Sequence, residues 1–351
     1  MVAAEKEKGN DMESPEYVQT SLAAAMALGY RPARFRRNSF LTGLNLLVTY
    51  HDGCVGRCAF CGLSHQRQIE PDKRTFIRVD WPTYPLDDII DRLNHDGDQL
   101  RRVCVGMITH RRAFDDMNTI IRRFSDGADR PISALIAPTM IQDLNRLSET
   151  KRAGADMVGV AIDAATPELF EHFRGQGVQG PHRWQHYWDT LEASVRIFGR
   201  YQVGVHLIVG LGETEQEMIA TIQRAHALGA HTHLFSFFPE GGTSMDAHPQ
   251  PSYGQYRRVQ LARYVINADY GRYEKMDFND AGQVTDFGIE TAELIRYGEP
   301  FMTSGCPGPD GCVACNRPFG NERPGRPIRN YAFLPDPEDV ALVRYQLQEY
   351  H

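Results

Sequence analysis

Six of the seven cysteines in this 351-residue chain fall into two tight groups. Cys54, Cys58 and Cys61 are spaced C-x3-C-x2-C, and Cys306, Cys312 and Cys315 are spaced C-x5-C-x2-C. Cys104 belongs to neither group. Soft thiolates this close in sequence select iron–sulfur clusters or zinc. Three thiolates on a four-iron cube leave one iron open to a small molecule. A closed zinc site needs four protein ligands, and His51 or His65 would have to complete one at the first group. Disulfides are not expected, because the pattern is that of metal sites and the chain reads as cytoplasmic.

Clustered thiolates need a scaffold that aims them at one point. The first group directly follows an apolar run at 43–50, and further short apolar runs lie at 102–109, 132–137, 157–162, 203–209, 232–238, 273–278 and 300–303. Several are continuously apolar, as strands buried on both faces are. Helical periodicity fills the intervals, for example at 86–94, 114–124, 141–151, 184–198, 215–228 and 256–269. Eight such units predict an α/β fold, a (β/α)8 TIM-type barrel, with ligand-bearing residues at the C-terminal ends of its strands. The expected organisation is a polar tail and helix over 1–38, with Ser14-Pro15-Glu16 as cap and a helix over 17–28. The barrel follows over 39–304, and a cysteine-rich loop with a final helix occupies 305–351.

Bulk properties narrow the classes. The net charge is −7, with 42% hydrophobic and 24% charged residues, ordinary for a globular protein. No long basic run is present, which argues against nucleic acid as a partner; Arg31, Arg34, Arg36 and Arg37 form the one local basic patch. No apolar run is long enough to span a membrane. The charged start MVAAEKEKGNDMES lacks the apolar core of a signal peptide, so a cytoplasmic location is expected.

The spacing at Cys54, Cys58 and Cys61, with Phe60 before the third cysteine, resembles the signature of the radical S-adenosylmethionine superfamily. That resemblance implies a [4Fe–4S] cluster whose open iron chelates S-adenosylmethionine, and a 5′-deoxyadenosyl radical that removes unactivated hydrogens. The stretch 204–214 is similar to the fifth-strand motif of the biotin synthase group, implying that Val209 and Gly210 back the adenine. Asp163, followed by Thr166-Pro167-Glu168, is similar to that group's fourth-strand end, whose Asp holds the ribose hydroxyls; the alternative for the bare residue is a helix N-cap. Arg183 could pair with the cofactor carboxylate or simply be solvated. Thr109 and His110 lie where family members bind the cofactor's amino group. His206, on the fifth strand, reads as a core histidine.

The second cysteine group bears on the chemistry. Biotin synthase's sulfur-donating cluster uses thiolates spread over barrel strands; here only Cys104 matches one, and Gly204 occupies another. The chain looks most like one half of the two-protein lipoyl synthase, with C-x3-C-x2-C-Gly62-Leu63 and a C-terminal cysteine group running into Asn316-Arg317-Pro318. This implies a second [4Fe–4S] cluster on Cys306, Cys312 and Cys315, with Ser304, Asn316 or Arg317 in reach as a further ligand, at the same barrel mouth as the first. The implied activity is sulfur insertion into an octanoyl chain on a carrier-protein lysine. The implied partners are an octanoylated carrier protein or peptide, the paralogous second half, and a reductant such as ferredoxin or flavodoxin. The alternative is a radical mutase or carbon–carbon bond enzyme whose second cluster is only structural.

Overall fold

The computed structural model describes residues 12–35, 37, 39–67, 75–77, 79–316 and 328–350. Its centre is one eight-stranded sheet. Six strands run parallel in chain order: β2 (Gly43–Val48), β4 (Arg102–Gly106), β5 (Ile132–Ile136), β6 (Met157–Asp163), β7 (Val203–Val209) and β8 (His231–Ser236). β1 (Tyr17–Thr20) pairs antiparallel with β2 and also with β3 (Thr83–Pro85), closing that edge. All six residues of β2 are buried, as in a strand covered on both faces.

Helices connect the parallel strands. Between β3 and β4, α2 (Leu86–Asp96) buries Leu86, Ile89, Ile90 and Leu93, the i, i+3, i+4, i+7 stripe of a helix on a sheet. α3 (Ala113–Gly127), α4 (Leu147–Arg152), α5 (Pro167–Phe173), α6 (Trp184–Phe198), α7 (Glu215–Leu228) and α8 (Tyr253–Asn267) follow. Thr214 starts α7 with a capping box closed by Glu217. A single cavity is lined by residues of all six parallel strands, from Asn45 on β2 to Phe235 on β8. A flat sheet of six strands at about 4.8 Å spacing puts its outer strands over 20 Å apart. The sheet is therefore curled around its interior, which is the barrel-type α/β arrangement expected.

Three expectations are corrected. The stretch 17–28 is not one helix: Tyr17–Thr20 is strand β1, and only Leu22–Ala27 is helical (α1), capped by Ser21 rather than by Ser14-Pro15-Glu16. The run 273–278 does not enter the sheet. Residues Tyr273–Lys275 form a 3-10 turn, and β9 (Asp277–Phe278) pairs only with β10 (Val284–Asp286) in a separate hairpin. At 300–303 a 3-10 turn, Glu299–Phe301, replaces the eighth strand. After α9 (Ala292–Ile295) the chain reaches the cysteine-rich loop, and α10 (Pro337–Leu347) packs against α8.

Candidate active site

The loop after β2 carries Cys54, Cys58 and Cys61, and all three line the cavity. Backbone hydrogen bonds shape the loop: Val55 N to Thr109 O at 2.9 Å, Ala59 N to Phe173 O at 2.8 Å and His65 N to Gly56 O at 2.9 Å. Gly56 packs closely against the site: a Cβ there would stand 3.2 Å from the Cys54 sulfur and 3.3 Å from His182 Nε2. The far side of the loop is held by buried Arg67. It donates to Gly62 O (3.0 Å), Thr75 O (2.8 Å) and Gly241 O (2.8 Å), and it pairs with Glu240 at 3.3 Å. The cysteine loop is thus fastened to the segment beyond β8 across the barrel mouth.

The donor set suits a cationic cluster. Burial pushes the Cys61 thiol well above its ordinary pKa, and the neighbouring charges of Cys58 and Cys54 push it further. Burial also raises Cys58, while Arg174 opposes the shift. Three desolvated, mutually repelling thiolates become stable together only when positive charge sits among them. His51 and His65 are exposed, and among the described residues no three His, Cys, Asp or Glu side chains gather closely enough to hold a single metal ion. A four-iron cube is larger than one ion and spaces its thiolates more widely.

Beside the thiols lies a charged pair that the sequence did not disclose in full. Asp163 ends β6, lines the cavity, and holds a left-handed backbone with φ 66°. Its carboxylate is 3.0 Å from Arg174, which also donates to Ala161 O (2.5 Å) and Ile162 O (2.9 Å). Burial raises the Asp163 pKa, and Arg174 opposes it. Arg174 is 5% exposed and lies over the rings of Phe170 and Tyr187. An N-cap role for Asp163 is not what the structure contains, since Thr166 caps α5.

His182 Nε2 lies 3.4 Å from the Cys58 sulfur, and its Nδ1 faces Thr139 Oγ1 (2.6 Å) and Tyr187 OH (2.9 Å). Burial, then the Arg174 charge, push its pKa down to about 2, so the ring is neutral. In the tautomer whose Nδ1 accepts from one of the two hydroxyls, Nε2–H faces the Cys58 sulfur. Arg174 sits one residue past α5 and His182 one residue before Arg183. Neither position had any spacing that marked it.

The other expected residues divide. Phe60 and Thr109 line the cavity, and so does His206, set against Phe235 on the neighbouring strand rather than enclosed in a core. His110 is buried but turned away from the cavity, stacked on Tyr50 at 3.8 Å with Asp52 at 3.2 Å from Nε2. Arg183 is exposed at the start of α6 and does not line the cavity. On β7, Ile208 faces the cavity, while Val209 is buried and Gly210 (φ 103°) turns the chain. Glu213 accepts from Gly210 N at 2.6 Å and Leu211 N at 2.9 Å, fixing that turn.

The second cysteine group lies at the opposite end of the barrel from the first, which corrects its expected place at the mouth. With no eighth strand to carry the chain there, the loop returns under the N-terminal ends of the strands. Cys315 packs on Gly43 at the start of β2, and Cys306 lies beside Arg102 and Ser133 at the starts of β4 and β5. Asn316 fixes the approach by accepting from Thr42 N (2.9 Å) and donating to Phe40 O (2.6 Å). Cys312 is exposed. Ser304 is half-buried, and Arg317 lies outside the described residues.

Comparison with known proteins agrees with the first thiol group. The family model described as the radical SAM superfamily matches residues 48–225, just over half of the chain. A GTP 3′,8-cyclase of Cyanothece sp. (strain PCC 7425 / ATCC 29141) is 27% identical over 99 residues, covering 27% of this chain and 28% of the cyclase. The match thus spans little more than a quarter of that relative. Among solved structures, methylornithine synthase aligns with a TM-score of 0.49 at 13% identity over 70% of this chain and 65% of its own. TYW1 with a lysine-pyruvate adduct aligns with a TM-score of 0.40 at 9% identity over 75% of this chain and 86% of its own. The matched segment contains the three cysteines, Asp163, Arg174 and His182 in one cavity wall, and the chain belongs to the radical SAM superfamily.

Proposed function

We propose that this chain is a radical SAM sulfur-insertion enzyme of the lipoyl synthase type, acting on an octanoyl chain carried on a protein or peptide lysine. The observation that carries the reading is one apolar cavity with thiols at both ends. Cys54, Cys58 and Cys61 line its mouth, and Cys104 and Asn45 line its floor, where Asn45 meets the Cys315 sulfur at 3.9 Å. Between them the wall is largely hydrocarbon and aromatic, including Leu47, Met107, Leu135, Ile208 and Phe235. Such a wall suits an extended alkyl chain better than a polar nucleotide or amino acid substrate.

In this reading Cys54, Cys58 and Cys61 hold a [4Fe–4S] cluster, which with S-adenosylmethionine supplies a radical able to remove an unactivated hydrogen. Asp163 offers the ribose hydroxyls two acceptor oxygens, oriented by Arg174. Neutral His182 steadies Cys58 without adding charge. The apolar wall keeps water from the reactive carbon. The C-terminal cysteines would hold a second cluster, whose chemistry would be to supply sulfide to the substrate. The carrier domain, a paralogous second half and a ferredoxin or flavodoxin are the proposed partners, and the cytoplasm the proposed location.

The second reading is a radical mutase or carbon–carbon bond enzyme. It is favoured by the place of Cys306 and Cys315, since the N-terminal face of a barrel ordinarily serves stability. One experiment separates the two: anaerobic incubation with reductant, S-adenosylmethionine and an octanoylated lipoyl-domain peptide, followed by mass measurement. Sulfur added to the peptide is the expected result. Formation of 5′-deoxyadenosine with no sulfur transfer defeats the sulfur-insertion reading and leaves the mutase class.

A further inference from the structure

The barrel floor brings together thiols that are remote in sequence. In the parallel register Asn45 on β2 faces Cys104 on β4, and Cys104 faces Ser133 on β5. In-register neighbours of a parallel sheet present their side chains to the same face. Asn45 and Cys104 line the cavity, so that face is the interior. The C-terminal loop delivers one sulfur to each flank of this row. Cys315 lies 3.9 Å from Asn45 Oδ1, and Cys306 lies beside Ser133 and Arg102, the latter donating to the carbonyl of the next residue, Pro307, at 2.6 Å. Cys306 and Cys315 are also tied to each other, since Cys315 N donates to Cys306 O at 3.1 Å.

We propose that Cys104, Cys306 and Cys315 are the thiolates that hold the second iron–sulfur cluster, set in the cavity floor, and that Cys312 stands outside the ligand set. The inference rests on the reading above that the C-terminal cysteines serve a cluster, and it changes which residues do so. Two of the three thiols come from the loop and one from a strand, so the site exists only when the loop is seated.

Charge and shape at the floor support it. Arg102 is 2% exposed and donates to Ser133 Oγ (2.9 Å), Pro307 O (2.6 Å) and both Asp156 oxygens (2.7 and 2.8 Å). This fixed cation stands against the loop that carries Cys306, where it complements the negative charge of thiolate ligands. Gly43 leaves room for the loop: a Cβ there would stand 2.9 Å from Cys315 Cα. Cys312, by contrast, is exposed on the loop, its amide held by Asp310.

The test is iron content after anaerobic reconstitution of the full chain, with the visible absorption of each variant. The unmodified protein is expected to bind about eight irons, two cubes of four. Cys104→Ala and the near-isosteric Cys104→Ser are each expected to retain about four, held at Cys54, Cys58 and Cys61; this remaining cluster also reports that the barrel has folded. Cys312→Ala is expected to retain about eight. Eight irons in both Cys104 variants overturn the inference. Loss of four irons in Cys312→Ala with none lost in the Cys104 variants overturns it in favour of a cluster on the loop alone, while leaving the functional reading intact. Only about four irons in the unmodified protein would remove the second cluster itself, and the functional reading with it.

Discussion

At the scale of single residues, the site combines charged groups that are each held by a neighbour and one that is held by backbone alone. Asp163 has Arg174 and Glu240 has Arg67. Glu213 has only the amides of the turn after β7, and burial raises its pKa to about 7 from an ordinary 4.5 despite those hydrogen bonds. The consequence for stability has a definite sign. Below about pH 4.5 the group is protonated whether the chain is folded or not. Between that value and about 7 the folded protein keeps a proton that the unfolded chain releases, so stability falls as pH rises through the window. The expected slope is on the order of 1 kcal/mol per pH unit from this residue. Urea unfolding of the wild type and Glu213→Gln between about pH 5 and 8 measures it, the variant having the flatter profile. Parallel profiles would show that the carboxyl titrates normally.

At the scale of elements, α8 binds the end of the chain to the barrel through two adjacent buried arginines. Arg258 pairs with Glu215 at 2.6 Å and donates to Leu347 O and Glu349 O at 3.2 and 2.8 Å. Arg257 donates to Arg329 O at 2.5 Å and to Gln346 Oε1 at 2.9 Å. Removing Arg258 strands the Glu215 charge in the interior, so Arg258→Ala is expected to cost about 3–5 kcal/mol, read as a lower urea midpoint. A shift too small to measure would mean that Glu215 is relieved by solvent.

The same elements mark what could be read in advance. The six parallel strands were legible because each is an apolar run long enough to cross a buried sheet, and β7 at 203–209 was delimited to the residue. β1 and β3 were not, since antiparallel strands of four and three residues carry too few positions for a pattern and 17–28 is helix-prone in its Ala-rich half. The run at 300–303 reads as a strand because burial, not pairing, is what an apolar run records: Phe301 is fully buried in a turn. The stretch 273–278 alternates in polarity over 275–278, as a strand does, but only Asp277–Phe278 pairs, in its own hairpin. The site was half legible. Thiols at fixed spacing announced themselves, whereas Arg174 and His182 depend on how α5 and α6 meet, a fact with no local signature. The seat of Cys306 and Cys315 depends on Asn316, Gly43 and Arg102, three contacts between distant parts of the chain.

At the scale of the whole molecule, the curled sheet turns two local motifs into the two ends of one chamber. The mouth thiols follow the last residues of β2 and the floor thiols meet its first, so a strand's length, roughly 15–20 Å, separates them. On the proposed lipoyl synthase reading, an extended eight-carbon chain is shorter than that gap, which would set its reactive carbon inside the barrel rather than at its rim. The midpoint layer is Gly106, Leu135 and Gly159, adjacent in register on β4, β5 and β6. Both flanking residues are glycines, and a Cβ on Gly159 would stand 3.0 Å from Leu135 Cδ1. Filling this layer should separate the two halves of the reaction. Leu135→Trp is expected to retain iron at both sites and to keep forming 5′-deoxyadenosine, because the mouth is untouched, at a stability cost of about 1–3 kcal/mol for overpacking. Sulfur transfer to an octanoyl peptide is expected to fall at least tenfold, about 1.4 kcal/mol of lost transition-state access. Paired measurement of 5′-deoxyadenosine and thiolated product decides it. Equal loss of both would mean that the cofactor itself reaches this layer, and no loss of either would place the substrate path outside the barrel.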